Sequence, residues 1–168
     1  DRSQLGIKFA KQPPAREVIT ATTINGDFTI PAGDPNYRVV ADNILPDNAI
    51  LYSMTPHMHY RGKSYEYIAH YPDGKSETLL RVPNYDFNWQ TSYILETPAR
   101  LPKGTRIETI AHFDNSAANK ANPDPTKPVR WGEQTWEEMM IGWMNMSWET
   151  PGNQTASAGG GTLGGGAR

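Results

Sequence analysis

Short segments in which apolar and polar residues alternate run through most of this chain and constrain its fold more than any other feature. Side chains of a β-strand point to opposite faces in turn, so this period of two predicts strands with one face in a core. Turns rich in glycine and proline, such as Pro72-Asp73-Gly74, separate the segments. No segment has the period of an amphipathic helix. The sequence therefore predicts an all-β fold, an antiparallel jelly-roll β-sandwich of about nine strands.

The turns divide the chain into strands and connections. The first two strands flank Asn25-Gly26, a pair that favours a tight hairpin because both residues tolerate positive φ. We predict strands at residues 18–23, 27–30, 37–41, 49–54, 63–71, 76–82, 87–95, 105–113 and 138–148. Residues 114–130 are rich in Asn, Asp and Pro, and Asx turns in an ordered surface loop explain them better than a calcium site.

The two ends of the chain differ in composition from its middle. Residues 1–16 contain Pro13-Pro14 and are predicted to form an extended arm, either packed on the domain or leading to an upstream one. Residues 17–150 are predicted to form the jelly-roll domain. Residues 151–168 include two runs of three glycines and are predicted to be a flexible tail, because they cannot bury enough apolar surface to fold.

Composition excludes several classes of function. The formal net charge is −2 and charges of both signs are mixed along the chain, so neither nucleic acid nor an anionic membrane is an expected partner. No apolar run approaches the roughly 20 residues of a membrane span. The chain contains no cysteine, which excludes disulfides and thiol catalysis.

Thr55-Pro56-His57-Met58-His59 is the segment that carries most chemical information. Two histidines separated by one residue project from the same face of a strand, with backbones roughly 7 Å apart, so both can bind one metal ion. Imidazole suits copper, zinc, iron and nickel, and the pair alone leaves the metal open. The alternative is a pair of half-exposed histidines that hydrogen-bond to neighbouring groups.

A second informative segment lies about eighty residues downstream and contains two methionines, in Glu137-Glu138-Met139-Met140. A thioether is a poor ligand for hard cations and a reasonable one for copper, especially Cu(I). Two imidazoles and one methionine therefore indicate copper more than zinc. The alternative is that the methionine fills the core, as most methionines on strands do.

These two motifs together resemble the catalytic domain of the copper type II, ascorbate-dependent monooxygenases, the peptidylglycine α-hydroxylating and dopamine β-hydroxylating enzymes. The resemblance covers residues 37–148 and is closest to bacterial stand-alone or fused versions of the domain. It implies a jelly roll that holds one copper ion through His57, His59 and Met139. It also implies hydroxylation of a C–H bond with O₂, with ascorbate or a redox protein as electron donor.

The chain departs from the family pattern at several positions. The arginine that helps to hold a peptide carboxylate in the peptide-amidating branch is Thr55 here, and two further positions of that branch are Ile141 and Trp143. A peptidylglycine substrate is therefore not expected. The family's second copper site needs three histidines, and only His70 and His112 remain of the four in this chain. We therefore expect one copper ion, and a neighbouring domain, subunit or external donor that supplies electrons.

Several other side chains are weaker candidates. His112 is predicted to point outward and is a candidate for an additional ligand or for a residue that supports the ligands; a surface histidine is the alternative. His70 is expected to be a strand-end histidine. Glu137 and Glu138 are adjacent, so on a strand they face opposite ways and cannot form an acid–base pair; one could orient a ligand imidazole, but solvated carboxylates are the expected interpretation. Tyr85, Phe87 and Trp89 alternate with Asp86 and Asn88, which indicates core packing or, as the alternative, an aromatic platform for a sugar.

The motifs predict a mononuclear copper domain, and the family resemblance implies that it is of monooxygenase type and lies in the periplasm or outside the cell. Two alternatives remain open at this point. One is a copper-binding electron-relay module without oxygenation, and the other is a non-catalytic structural or assembly domain of a larger cell-surface protein or complex.

Overall fold

A computed structural model describes residues 2–149 of the chain. Ten strands and no helices are present in this range: β1 (Ile19–Ile24), β2 (Thr29–Ile30), β3 (Tyr37–Ile44), β4 (Ala49–His57), β5 (Gly62–His70), β6 (Ser76–Val82), β7 (Tyr93–Leu101), β8 (Arg106–Phe113), β9 (Val129–Arg130) and β10 (Ile141–Trp148). None of the described residues therefore forms a helix that could cross a membrane. The predicted all-β fold is confirmed.

The strands form two antiparallel four-stranded sheets and one short two-stranded ladder. The first sheet has the order β1-β10-β4-β7, the second has the order β3-β8-β5-β6, and β2 pairs with β9. Without the short ladder, successive strands lie in different sheets except for β5 and β6, which form a hairpin in the second sheet, and this is the double Greek-key order of a jelly roll. The predicted jelly-roll β-sandwich is therefore confirmed, with ten strands where about nine were expected.

The core lies between the two sheets, where inward-facing residues of both sheets form one cluster. β4 and β10 contribute Met54 and Met144, and β5 and β8 contribute Tyr67 and Phe113, all fully buried. The two sheets lie close together at Gly142, where an added Cβ would lie 2.9 Å from the hydroxyl oxygen of Tyr65. A side chain at this position would push the two layers apart.

The hairpin predicted at Asn25-Gly26 is wrong. β1 pairs with β10 and β2 pairs with β9, so the chain crosses from one sheet to the short ladder at this point. The Asn25 side chain serves as a brace instead: its Oδ1 accepts the N–H of Asp27, and its Nδ2 donates to the carbonyl of Val40. The pair was suited to a turn, but non-local pairing of the flanking strands decided the topology.

The loop at residues 114–128 is held by Asx turns, as predicted. Side-chain oxygens of Asp114, Asn119, Asn122 and Asp124 each accept the backbone N–H two residues further on. The loop ends in β9, which the sequence prediction missed because two residues are too short to show a period. Asn115 is fully buried and bridges the loop to the domain, since its Nδ2 donates to the carbonyls of residues 31 and 127.

The predicted arm contains no strand in residues 2–18, and its side chains are exposed, including those of Leu5, Ile7 and Phe9. The tail predicted at residues 151–168 lies outside the described residues.

Candidate metal centre

The end of β4 brings the two imidazoles of the His-x-His motif together. His57 is the last residue of β4 and is half-buried, and His59 lies two residues beyond the strand and is only 4% exposed. Their ring centroids are 5.2 Å apart and the ring planes are nearly perpendicular, at 87°. The alternation of side chains along an extended segment explains this proximity.

Both histidines have their Nδ1 atoms turned toward oxygen acceptors. The Nδ1 of His59 lies 3.3 Å from the backbone carbonyl of Glu137, which can only accept a hydrogen bond. The Nδ1 of His57 lies 2.6 Å from Oε1 of Gln90, and the Nε2 of Gln90 donates to the carbonyl of Phe87, which fixes the amide orientation. The Nδ1 atoms therefore carry the protons, and each neutral ring has its lone pair at Nε2.

The hydrogen bonds that both rings make to Gln90 and Glu137 use Nδ1, and the backbone of Gln134 also interacts with the His59 ring. Burial lowers the pKa of His59, and the nearby charge of His57 acts in the same direction, while hydrogen bonding to Glu137 opposes both. The lowered pKa favours the neutral ring. A neutral imidazole with a free lone pair is the form that binds a metal ion.

Met139 differs from every other methionine of the chain. The other five, Met54, Met58, Met140, Met144 and Met146, are fully buried in the core, whereas Met139 is half-buried. It lies between two residues that contact the histidine segment: Glu138 accepts the N–H of His59, and Ile141 is opposite His57 in the register of β10 and β4. Core filling therefore explains five methionines but not this one.

Glu138 is the residue that joins the two motifs. Its carboxylate is fully buried and accepts the backbone N–H groups of His59 at 2.8 Å and of Arg61 at 2.6 Å. Its own N–H donates to the carbonyl of Arg130. Burial raises the pKa of Glu138 to about 7, although the N–H groups of Arg61 and His59 lower it. The interpretation of Glu138 as a solvated carboxylate is wrong, because β10 begins only at Ile141 and the residue lies in a buried connection.

Arg61 is a structural residue that the sequence prediction missed. Its side chain is 2% exposed, and its guanidinium donates to Oδ1 of Asn115 and to the carbonyl of Trp136. The guanidinium also lies 4.0 Å from the carboxylate of Glu138. Arg61 thus connects the histidine segment, the long loop and the segment before Met139. The sequence around Arg61 contains no local pattern that would predict the burial of an arginine.

The segment after β6 forms the neighbouring wall, and the prediction of a strand beginning at Phe87 is wrong. Oδ1 of Asp86 accepts the N–H of Asn88, and Trp89 donates its N–H to the carbonyl of Asp86, so the chain turns here and β7 begins only at Tyr93. Trp89 is 70% exposed, which rules out core packing for this residue. The turn delivers Gln90 to His57, a role that no sequence pattern indicated.

The structure does not bring His112 or His70 to the histidine pair. His112 lies in β8 of the second sheet, where its Nδ1 is 3.2 Å from the hydroxyl of Ser64; burial, followed by the positive charge of Arg38, lowers its pKa. Phe113 points into the core, so its neighbour His112 points away from it. His112 therefore lies on the outer face of the second sheet, whereas His57 belongs to the first sheet. His70 ends β5, as expected.

The donors near this site limit which metal centres are compatible with it. Residues 2–149 contain no group of three or more His, Cys, Asp or Glu side chains suited to a metal ion. Within these residues a third protein donor beside His57 and His59 would therefore be of another kind, and Met139 is the half-buried methionine of the segment that contacts His59. Two neutral imidazoles and a thioether fit copper by the chemistry of the donors.

No protein-family model matches this chain, and no curated protein matches it. The family resemblance therefore rests on the two short motifs that the fold brings together.

Proposed function

We propose that the chain is a mononuclear copper-binding domain that resembles the catalytic domain of the copper- and ascorbate-dependent monooxygenases. His57 and His59 would bind the ion through Nε2, and Met139 would bind it through sulfur. The observation that carries the proposal is the pair of Nδ1 hydrogen bonds to Gln90 and Glu137, which puts the lone pair of each neutral ring at Nε2.

Copper, when bound, would supply one-electron redox chemistry and reactivity toward O₂. In the proposed hydroxylation one oxygen atom of O₂ enters a C–H bond and the other leaves as water, which consumes two electrons and two protons from a donor. The residues of the chain orient the ligands. Gln90 and the Glu137 carbonyl hold the two rings, and Glu138, the residue before Met139, accepts the backbone N–H of His59.

The electron donor lies outside this site. The two remaining histidines are on the second sheet and have partners of their own, since His70 bonds Ser76 and Glu108 while His112 contacts Ser64. A reaction of the two-copper type would therefore require ascorbate, a redox protein, or a neighbouring domain or subunit. The same observation favours a second candidate function, a copper relay that passes electrons without oxygenation. We propose a periplasmic or extracellular location for either function, on the strength of the family resemblance.

A copper titration followed by electron paramagnetic resonance tests the binding proposal. Wild type should bind one Cu(II) per chain and show hyperfine structure from nitrogen ligands. His57→Ala and His59→Ala should each abolish tight Cu(II) binding, and Met139→Leu should chiefly weaken Cu(I) binding because the thioether prefers the reduced ion. His70→Ala is the matched histidine control and should bind copper as wild type does.

Equal copper affinity in wild type and the three ligand variants would refute the assignment, and it would favour a structural or assembly role. Turnover separates the two copper functions. A hydroxylated product formed from O₂ and a reductant by the loaded protein identifies a monooxygenase. Reduction and reoxidation without such a product identify a relay.

A further inference from the structure

An open groove with aromatic and amide walls lies beside His59. It has a volume of about 550 Å³, within the range of small-molecule sites, and its main lining residues are Tyr60, Asn84, Tyr85, Asp86, Phe87 and Asn88. The ring of Phe87 stands edge-on to the ring of His59, with centroids 6.1 Å apart, and to the ring of Tyr60 at 4.7 Å. The Phe87 ring, which lines the groove, therefore also contacts His59, the proposed copper ligand.

Contacts within the protein hold the Tyr85 ring of the aromatic wall in place without a ligand. The hydroxyl of Tyr85 donates to the carbonyl of Met58 and accepts the N–H of the same residue, at 2.7 and 3.0 Å. Gly62 makes room for this ring, since an added Cβ would lie 2.7 Å from Cδ1 of Tyr85. The groove is thus tied to the residue between the two histidines.

The polar rim can both donate and accept hydrogen bonds. Asn84 is exposed, and its side-chain amide has no hydrogen bond within the described part of the chain. Asp86 uses Oδ1 to accept two bonds from Asn88, which leaves Oδ2 of Asp86 and Oδ1 of Asn88 without a hydrogen bond in the described part of the chain, and both residues are exposed. No lysine or arginine lines the groove, and Asp86 carries its only formal charge at neutral pH. An anionic ligand is therefore disfavoured.

We infer that this groove binds a neutral carbohydrate. The apolar faces of a sugar ring pack on aromatic side chains, and its hydroxyl groups donate and accept in the way that side-chain amides and a carboxylate require. An organic cation would use the aromatic rings and Asp86 but would leave the amides without partners. The further role of the groove, to present the carbohydrate to the metal, rests on the proposed function; the binding itself does not.

The test is calorimetric titration of the metal-free protein with cellohexaose, mannohexaose and chitohexaose. At least one of these neutral oligosaccharides should bind. Phe87→Ala should weaken the binding about tenfold, because one aromatic contact is lost. Asn84→Ala should weaken it about fivefold through the loss of one hydrogen bond, and because the Asn84 side chain is exposed the substitution leaves the fold intact. Trp143→Ala, an aromatic control on β10 outside the groove, should stay within about twofold of wild type.

The inference is overturned if none of the three oligosaccharides binds, or if binding is unchanged in both Phe87→Ala and Asn84→Ala. It is also overturned if the cation tyramine binds to the groove while the sugars do not. The copper titration on the same proteins keeps the two proposals apart. Sugar binding without copper binding would refute the copper proposal alone, and copper binding without sugar binding would refute the carbohydrate site alone.

Discussion

Replacing Gly62 by alanine tests how closely the groove wall and the histidine segment are packed together. Gly62 has no positive φ, so alanine can adopt its backbone conformation. On backbone entropy alone the substitution would stabilise the protein by about 0.4–1 kcal/mol. The space around the residue gives the opposite expectation. An added Cβ would lie 2.7 and 2.9 Å from two ring carbons of Tyr85 and 2.8 Å from Cβ of Met58.

The steric effect should exceed the entropic one. Overpacking a well-packed position costs about 1–3 kcal/mol. A displaced Tyr85 ring would also weaken its two hydrogen bonds to the backbone of Met58, each worth about 1 kcal/mol. We therefore expect Gly62→Ala to lower the free energy of unfolding by about 3 kcal/mol. For a domain of this size the melting temperature should fall by about 6–12 °C.

Urea unfolding followed by tryptophan fluorescence measures this loss. Gly6→Ala is the matched control, because nothing lies within 4 Å of its added Cβ, and it should change stability by less than about 0.5 kcal/mol. Tyr85→Leu removes the ring that the new methyl group meets. The double variant Gly62→Ala/Tyr85→Leu should therefore be more stable than the sum of the two single effects allows. A Gly62→Ala protein as stable as wild type would refute the reasoning, and so would strict additivity in the double variant.

Two further predictions concern hydrogen bonds of histidines. Gln90→Ala removes the acceptor that holds the Nδ1 proton of His57, so nitrogen-detected NMR should show mixed tautomers of that ring, and copper affinity should fall about 10–100-fold. His70→Ala removes the hydrogen bond to Glu108, whose pKa is held below its ordinary value because His70 and Arg106 outweigh burial. NMR titration of the Glu108 carboxyl should then show a higher pKa. A lowered carboxyl pKa stabilises the fold above pH 4.5, and this stabilisation is lost as the pH falls. The free energy of unfolding of the variant should therefore change less with pH in acid than that of wild type.

Each of these two predictions has a matched control. Gln12→Ala changes an exposed glutamine of the arm and should leave the His57 tautomer and copper affinity unchanged. His112→Gln changes a histidine on the same strand as Glu108, but it does not contact that carboxylate, and it should leave the Glu108 titration as in wild type. A uniform Nδ1–H tautomer in Gln90→Ala would show that the Gln90 amide does not set it. An unshifted Glu108 titration in His70→Ala would show that Arg106 alone holds its pKa.

The fold could be predicted from the sequence because its strands carry local signals. The β5–β6 hairpin shows this most clearly: Pro72-Asp73-Gly74 marks the turn, Gly74 adopts φ 86°, and Ser76–Val82 has the bounds that were predicted. The failures occurred where a local signal competed with distant pairing. Asn25-Gly26 suits a hairpin, yet β1 gains its partner from β10, more than a hundred residues away in the chain.

The ligand residues and the residues that orient them differ in how far they could be predicted. The spacing of His57 and His59 is a local property, so their proximity follows from the period of an extended chain. The state of the rings depends on Gln90 and on the Glu137 carbonyl, which reach them across 33 and 78 positions.

Glu138 shows why such residues are missed from sequence. A glutamate beside another glutamate looks like a solvated pair, and only the tertiary fold reveals two backbone N–H groups from a distant segment that require a buried acceptor. Because those groups belong to His59 and Arg61, the same contact brings the methionine segment to the histidines. The candidate centre is therefore assembled by backbone hydrogen bonding to one carboxylate. A sequence search confined to the metal-ligating residues themselves would find the donors but not what holds them together.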